Sequence, residues 1–253
     1  MERDTRFAIM EGRYLEAERD SIRKQAARVP VSVHEFMEWF VDLRASGPGQ
    51  GDALFPWLAT TADLEQMRWF LAQEVAGEAG FDDLVAVTQV KLPARAKLEL
   101  ARNYWDEMGR GQPKGMHGAL LEKTIEELAI KPARDEATWE SLALSNLMVG
   151  LAFNRRYAYH SLGALGAIEM TAPGRVSLVN EGLKRLRVSS GGRHYFALHA
   201  GLDQIHSASW NAEAILPLVE GNPWVARAIA EGALMRLRAG ARCFERYRMQ
   251  FGF

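Results

Sequence analysis

Residues 196–210 read FALHAGLDQIHSASW and place two histidines and an aspartate within eight positions, as His199-x-x-x-Asp203-x-x-His206. A helix advances about 100° per residue, so offsets of 0, 4 and 7 keep these side chains within roughly 60° of one another. Imidazole and carboxylate together suit iron, manganese or zinc, and carboxylate-rich sites inside helical bundles suit iron or manganese. Taken alone, such a helix more often has an ordinary polar face. The interpretation therefore depends on partners elsewhere in the chain.

The composition excludes several classes of protein. The chain has 253 residues, 48% of them hydrophobic, and a formal net charge of -1 from 31 basic and 32 acidic residues. This balance provides no field of one sign for nucleic acid or an anionic membrane, so neither partner is expected. The single cysteine, Cys243, excludes an internal disulfide framework and favours a reducing compartment. No signal-peptide pattern and no run of about 20 apolar residues is present, which predicts a cytoplasmic protein.

Helical periodicity dominates the chain and predicts one all-α domain over 1–253. Its N-terminal helices are expected in 1–58 and a metal-binding helical core in 60–250. Ser32 and Glu35 have capping-box spacing. One helix is expected over most of 61–90, with Thr60 or Thr61 as its N-cap.

Two further helices carry candidate ligands. One is expected to begin at Pro93 and to end at the glycines after Glu107. The apolar segment 137–174 is expected to form a central, nearly buried helix, broken if at all near its glycines. The TAPG sequence, 171–174, predicts that this helix ends just after Glu169.

Candidate metal ligands outside the opening stretch occur in three places. In NYWDEMGRGQPKGMH, 103–117, Glu107 precedes a Gly-rich loop and His117 follows it, so both could contact one ion. Glu169 is a lone acid in an apolar segment, where an unpaired charge would cost several kcal/mol. A metal or a nearby helix end would each account for it. Glu74 and Glu78, four residues apart, share one helix face, and either could point inward or be a surface acid.

In this order, the acids and histidines resemble the ligands of the heme-oxygenase-like diiron oxidases and oxygenases. They are most similar to the group called iron-containing redox enzymes. The resemblance covers roughly 60–250 and implies a single all-α helical bundle of the heme-oxygenase-like type. The final histidine–aspartate–histidine triplet is its most specific mark.

The resemblance implies a role for each ligand. Glu107 would be shared by two irons, and His117 and His199 would complete the first iron site. The second site would contain an acid from the earlier helix, Glu78 or alternatively Glu74, together with Glu169, Asp203 and His206.

The same resemblance implies an O₂-dependent non-heme diiron oxidoreductase. It would use two iron ions per chain as Fe(II)/Fe(III), O₂ as co-substrate and no heme, because bare iron requires this many carboxylates. The expected reaction N-oxygenates, desaturates or cleaves a small amino-acid-like or amine metabolite. An external electron donor is a possible partner, and a homodimer is a common outcome for such bundles.

The segment NRRYAYH, 154–160, contains candidate substrate-pocket residues, namely Arg155, Tyr159 and His160. An arginine here could bind a substrate carboxylate, although surface arginines and core aromatics also explain the pattern. Two other functions remain open. One is a metal-free, thiaminase-like helical hydrolase, which needs a nucleophilic cysteine, and the other is a non-catalytic helical binding protein.

Overall fold

The computed structural model describes residues 2–78, 80–131 and 134–253, and this part of the chain contains helices and no strand. The α-helices in chain order are α1 (Glu2–Ser21), α2 (Arg23–Ala26), α3 (Val33–Ser46), α4 (Leu54–Thr60), α5 (Leu64–Gly77), α6 (Phe81–Thr88), α7 (Ala94–Glu107), α8 (His117–Glu127), α9 (Trp139–Phe153), α10 (Ala158–Arg185), α11 (His194–Ser209), α12 (Leu216–Gly221) and α13 (Trp224–Phe251). A π-helical segment, Trp210–Ile215, joins α11 to α12. The all-α prediction is confirmed.

Local side-chain hydrogen bonds determine where several helices begin. Ser32 is the N-cap of α3, as its spacing predicts, and its hydroxyl accepts a hydrogen bond from the Glu35 amide. The predicted N-cap of α5, the next long helix, was wrong. Asp63, rather than Thr60 or Thr61, caps α5, and it forms a reciprocal capping box with Gln66.

The single helix expected over 61–90 is two helices. The chain turns at Glu78, which is extended, and at Gly80, which has a φ of 71° that favours glycine. The apolar periodicity continues across this turn because both helices bury one face against α9. Periodicity alone therefore could not show the break.

The segment 137–174 also differs from expectation. It breaks at a 3₁₀ turn, Arg155–Tyr157, rather than at its glycines. The following helix α10 does not end at TAPG but continues past Pro173 to Arg185. Pro173 lacks the N–H that would bond to the carbonyl four residues earlier, and its ring crowds that carbonyl, yet the helix continues. Buried Val179 and Leu183 hold the second half of the helix in the core.

The centre of the bundle is the crossing of α10 and α13, and α10 also packs on α4, α9 and α11. At the crossing, a Cβ on Gly163 would overlap the backbone of Ile229, and a Cβ on Gly232 would overlap that of His160. Only glycine permits two helix backbones to lie this close. The crossing brings together the two longest apolar surfaces of the chain.

A buried carboxylate ties the N-terminal helix to this centre. Glu231 on α13 is 3% exposed and accepts hydrogen bonds from Arg19 of α1 at 2.6 Å and from Arg227 at 2.9 Å. His160 Nε2 of α10 lies 3.1 Å from the same carboxylate. One hydrophobic core runs from Leu15 to Tyr247, so the helices form one bundle. None of the described helices is both long and apolar enough to cross a membrane.

Candidate metal centre

Six buried side chains form two groups of potential metal ligands near the middle of the bundle. The first triad is Glu107, His117 and His199. The second triad is Glu169, Asp203 and His206. Within each triad, one ligand atom from each residue lies within 4.8 Å of the others. These six residues are the ones that the sequence singled out outside the Glu74/Glu78 pair.

A tight loop brings together the first two residues of the first triad. Glu107 is the last residue of α7 and His117 is the first residue of α8. Three successive positive φ values, at Gly109, Arg110 and Gly111, fold the chain back between them. Gly109 packs against the backbone of Gly115, where any side chain would overlap. Glu107 Oε2 consequently lies 2.6 Å from His117 Nδ1.

The third member, His199, is oriented by its own helix. Its Nδ1 lies 2.8 Å from the carbonyl oxygen of Tyr195, one turn earlier on α11, and donates to it. This hydrogen bond leaves Nε2 as the free nitrogen, as in histidines that bind metals. The Tyr195 ring packs on the imidazole at 4.2 Å between centroids, and the His117 ring contacts it edge-on at 4.5 Å.

The second triad is oriented by residues of α7. Glu169 Oε1 accepts a hydrogen bond of 2.5 Å from the side-chain amide of Asn103. His206 Nε2 lies 3.1 Å from Asp106 Oδ2, and Asp106 is itself paired with Arg110 at 2.6 Å. His206 Nδ1 therefore faces Glu169, whose Oε2 lies 3.6 Å away.

Burial and mutual charge shift the pKa values of these groups. Burial, and after it the charges of Glu169 and Glu107, raise the pKa of Asp203 to about 9. Burial also raises the pKa of Glu107. Burial lowers the pKa of His199 to about 4. Burial also lowers the pKa of His206. The hydrogen bond with Glu169 and the charge of Glu169 outweigh this effect, and the pKa of His206 rises to about 9.

The residues of the two triads fit iron as a ligand set. Three carboxylates and three imidazoles are a donor set that iron accepts. The Nδ1 atoms of His117 and His206 are buried without a hydrogen-bond partner, although carboxylate oxygens lie close to both. Buried polar atoms are normally satisfied, so both orphan atoms need a partner such as a metal ion. The raised carboxyl pKa values indicate the same lack of positive charge.

The two candidates for a seventh ligand lie outside both triads. Glu78 follows the last residue of α5, is exposed, and accepts a hydrogen bond of 2.8 Å from the Phe81 amide at the start of α6. Glu74 is half-buried, and burial raises its pKa. Both border the cavity described next, and the choice between them stays open.

A cavity of about 200 Å³ adjoins both triads, and Glu107, His199, Glu169 and Asp203 form part of its wall. Most of the remaining wall is apolar, including Leu71, Met148, Ile168, Val179 and Phe196. The three pocket residues predicted from the sequence do not line this cavity. Arg155 is exposed beside the carbonyl of Thr88, Tyr159 packs on the hydrophobic core, and His160 faces Glu231.

Four polar residues of the site, Asn103, Asp106, Arg175 and Arg236, were not singled out by the sequence analysis. Asn103 lies one helical turn before Glu107 on the same face of α7, so helical spacing from Glu107 could have suggested it, whereas Asp106 is adjacent to Glu107 and lies on a different face. Arg175 and Arg236 line the cavity from α10 and α13. Only the packing of these helices brings them to the site.

An all-helical bundle with carboxylates and histidines buried at its centre is typical of proteins that bind metal ions between their helices. The family model described as "Iron-containing redox enzyme" matches residues 68–241, which is more than half of the chain. The chain therefore belongs to the iron-containing redox enzyme family, and the predicted resemblance is confirmed.

Solved structures show the same fold. A CADD-like protein of unknown function from Nostoc punctiforme, in crystal structures at 2.00 and 1.35 Å resolution, superposes with TM-scores of 0.60 and 0.57. In both comparisons the identity is 16%, with 96% of this chain covered and 98% or 96% of the other. None of the curated proteins matches the chain.

Proposed function

We propose that the protein is a non-heme diiron oxygenase or oxidase that uses O₂ to oxidise a small metabolite. The observation that supports this proposal is the position of two buried carboxylate–histidine triads beside one largely apolar cavity. A structural metal site would be closed to ligands, whereas a catalytic one adjoins a space for substrate.

Each triad residue has a defined task in this proposal. Glu107 would contact both ions, with His117 and His199 on the first. Asp203, His206 and Glu169 would hold the second, together with Glu78 or Glu74. When bound, two ferrous ions would supply the electrons and the open positions that O₂ activation requires.

The protein's own residues would orient the histidine ligands and exclude water from the centre. Tyr195 and Asp106 hold the His199 and His206 rings so that one nitrogen of each faces the centre. The apolar cavity wall keeps bulk water from the reacting position and binds the substrate body. The expected outcome is N-oxygenation, desaturation or cleavage of an amine or amino-acid-like metabolite, with electrons from an external donor where the reaction needs them.

The alternative of a thiaminase-like hydrolase has no support at Cys243. The thiol is fully buried and does not line the cavity, and burial raises its pKa to about 12. A nucleophilic cysteine needs the opposite shift and access to substrate.

The test is an anaerobic titration with ferrous ion, followed by rapid mixing with O₂ and absorption spectroscopy. We expect about two irons per chain and a transient absorption after O₂. His199→Ala and His206→Ala should each reduce the iron content. His194→Ala is the matched control, because His194 is exposed at the start of the same helix. Failure to bind iron, or equal iron binding by all three variants, would refute the proposal.

A further inference from the structure

Two arginines stand out among the residues that line the cavity. Arg175 belongs to α10, which also carries Glu169, and Arg236 belongs to α13. Both border the same cavity as the two triads. A binding site for iron and a neutral substrate does not require positive charge there, so their presence needs a separate explanation.

Neither guanidinium is paired with a carboxylate among the described residues. Arg175 Nη2 donates to the Thr171 hydroxyl at 3.1 Å, and its planar group packs near the rings of Phe55 and Phe244, at 5.8 and 5.4 Å. The Nε atom of Arg236 is buried and has no hydrogen-bond partner. Cation–π contacts orient a guanidinium but leave its N–H edge free to donate.

The local charge is positive. Glu74 is the acid whose charge acts on both arginines, so one carboxylate faces two guanidinium groups. Burial, and after it the neighbouring charge of Arg236, lower the pKa of Arg175 to about 10. Two half-buried guanidinium groups beside one carboxylate leave an excess of positive charge that a bound anion would offset.

We propose that Arg175 and Arg236 bind an anionic group of the substrate, a carboxylate or a phosphate. This inference rests on the proposed function and assigns its substrate class. The guanidinium fork matches both oxyanions and can donate two parallel hydrogen bonds.

The rest of the cavity indicates the shape of that substrate. Arg175 follows Glu169 by six residues, which is roughly 9 Å along a helix. Apolar residues such as Ile168, Val176 and Val179 line the wall that these two helical turns provide. The substrate is therefore a small molecule with an anionic end at the arginines and an apolar body that extends to the metal centre.

The test measures binding directly, without turnover. The protein is titrated calorimetrically with 4-phenylbutyrate, 4-phenylbutyl phosphate, 4-phenylbutanol and 4-phenylbutylamine, which share one apolar body. We expect at least one of the two anions to bind about tenfold or more tightly than the alcohol and the amine, because hydrogen bonds to charged groups are stronger than hydrogen bonds to neutral ones. The ratio between the two anions identifies the preferred oxyanion.

Variants of the two arginines test whether these residues cause the preference for an anion. Arg175→Gln and Arg236→Gln should each reduce affinity for the preferred anion about tenfold and leave that for the alcohol unchanged. Arg238→Gln is the control, because Arg238 is exposed on the same helix as Arg236. Circular dichroism establishes that each variant is folded.

Three results would overturn the inference: no binding of either anion by the unaltered protein, no preference for an anion over the alcohol, or undiminished anion affinity in both arginine variants. Iron content is measured on the same samples. Iron binding without an anion preference refutes this inference alone, whereas anion binding without iron refutes the proposed function and leaves the anion subsite in place.

Discussion

At the scale of single residues, the candidate ligands are held by neighbours that are not ligands themselves. Tyr195 engages one nitrogen of His199 through its backbone, and Asp106 engages one nitrogen of His206. Such hydrogen bonds select the nitrogen that is left for a metal. The geometry of the centre therefore depends on more residues than the six of the two triads.

Asn103 is the clearest case for a test. It is buried and donates a hydrogen bond to Glu169. In the proposed centre, Asn103→Ala should weaken iron binding at the Glu169 triad by about 10- to 100-fold, because Glu169 loses the partner that orients it. Anaerobic iron titration of the variant measures the change. Asn146→Ala on α9 is an exposed control, and equal affinities in the two variants would contradict this role.

Sequence reasoning succeeded for residues whose chemistry is local. His199, Asp203 and His206 share a helix face, and Glu107 and His117 flank one short loop, so spacing alone suggested their proximity. Arg175 and Arg236 lie on helices that meet only in the folded bundle. No spacing rule relates residues so far apart in the chain. The sequence analysis instead chose Arg155 as a pocket candidate because it lies in the NRRYAYH segment.

At the scale of elements, the loop between α7 and α8 determines the first triad. Gly109 has a φ of 60° and packs against the backbone of Gly115. Gly109→Ala would have to adopt an unfavourable backbone conformation and would overlap that backbone.

We expect Gly109→Ala to reduce iron binding at Glu107 and His117 by about tenfold or more, since a misplaced ligand costs at least as much as a lost ligand partner. Iron titration again provides the measurement. Gly118→Ala is the matched control, because Gly118 lies one residue after His117 with free space around it. Retained iron affinity in Gly109→Ala would show that the loop is more adaptable than its geometry indicates.

The network of Glu231 joins α1, α10 and α13 and makes stability depend on pH. Burial opposes ionisation of Glu231, but its hydrogen bonds with His160, Arg19 and Arg227 outweigh burial and lower its pKa from 4.5 to about 2. Because the folded-state pKa is lowered, this contribution to stability is present above about pH 4.5 and is lost as the pH falls through about 2.

Glu231→Gln should therefore reduce the free energy of unfolding at about pH 7 by on the order of 3 kcal/mol. The difference from the unaltered protein should be smaller at about pH 3. Urea denaturation at both pH values tests this expectation, with the exposed Glu245→Gln on the same helix as control. A difference that does not change with pH would mean that Glu231 acts through packing alone.

Helix boundaries were the least predictable part of the fold. Helix type followed from apolar periodicity, which persists because each helix buries one face. The break between α5 and α6 and the continuation of α10 past Pro173 had no such signal. Both depend on which neighbouring helix covers the segment, and that information is tertiary.

At the scale of the whole molecule, one core extends through all the long helices, so global unfolding should expose its interior in one step. Cys243 reports on this event because it is fully buried and burial raises its pKa to about 12. We expect iodoacetamide to leave the native protein unlabelled and to modify one thiol per chain in urea. Rapid labelling of the native protein would contradict the single-core description.

Labelling of Cys243 also tests whether iron binding stabilises the folded state. Ferrous ion that binds only the folded state should slow the labelling of Cys243 in intermediate urea concentrations, because binding shifts the folding equilibrium. Labelling that iron does not affect would mean that the ion binds the folded and unfolded chains equally.

The π-helical segment Trp210–Ile215 begins four residues after His206. A π turn contains one residue more than the α-helical turn it replaces. Residues beyond this extra residue are rotated relative to a continuous α-helix, whereas those before it keep their register. When this chain is aligned with other family members, any gap in this region therefore belongs after His206. An alignment that places the gap earlier would shift His199, Asp203 and His206 by one position and would wrongly suggest that these candidate ligands differ between relatives.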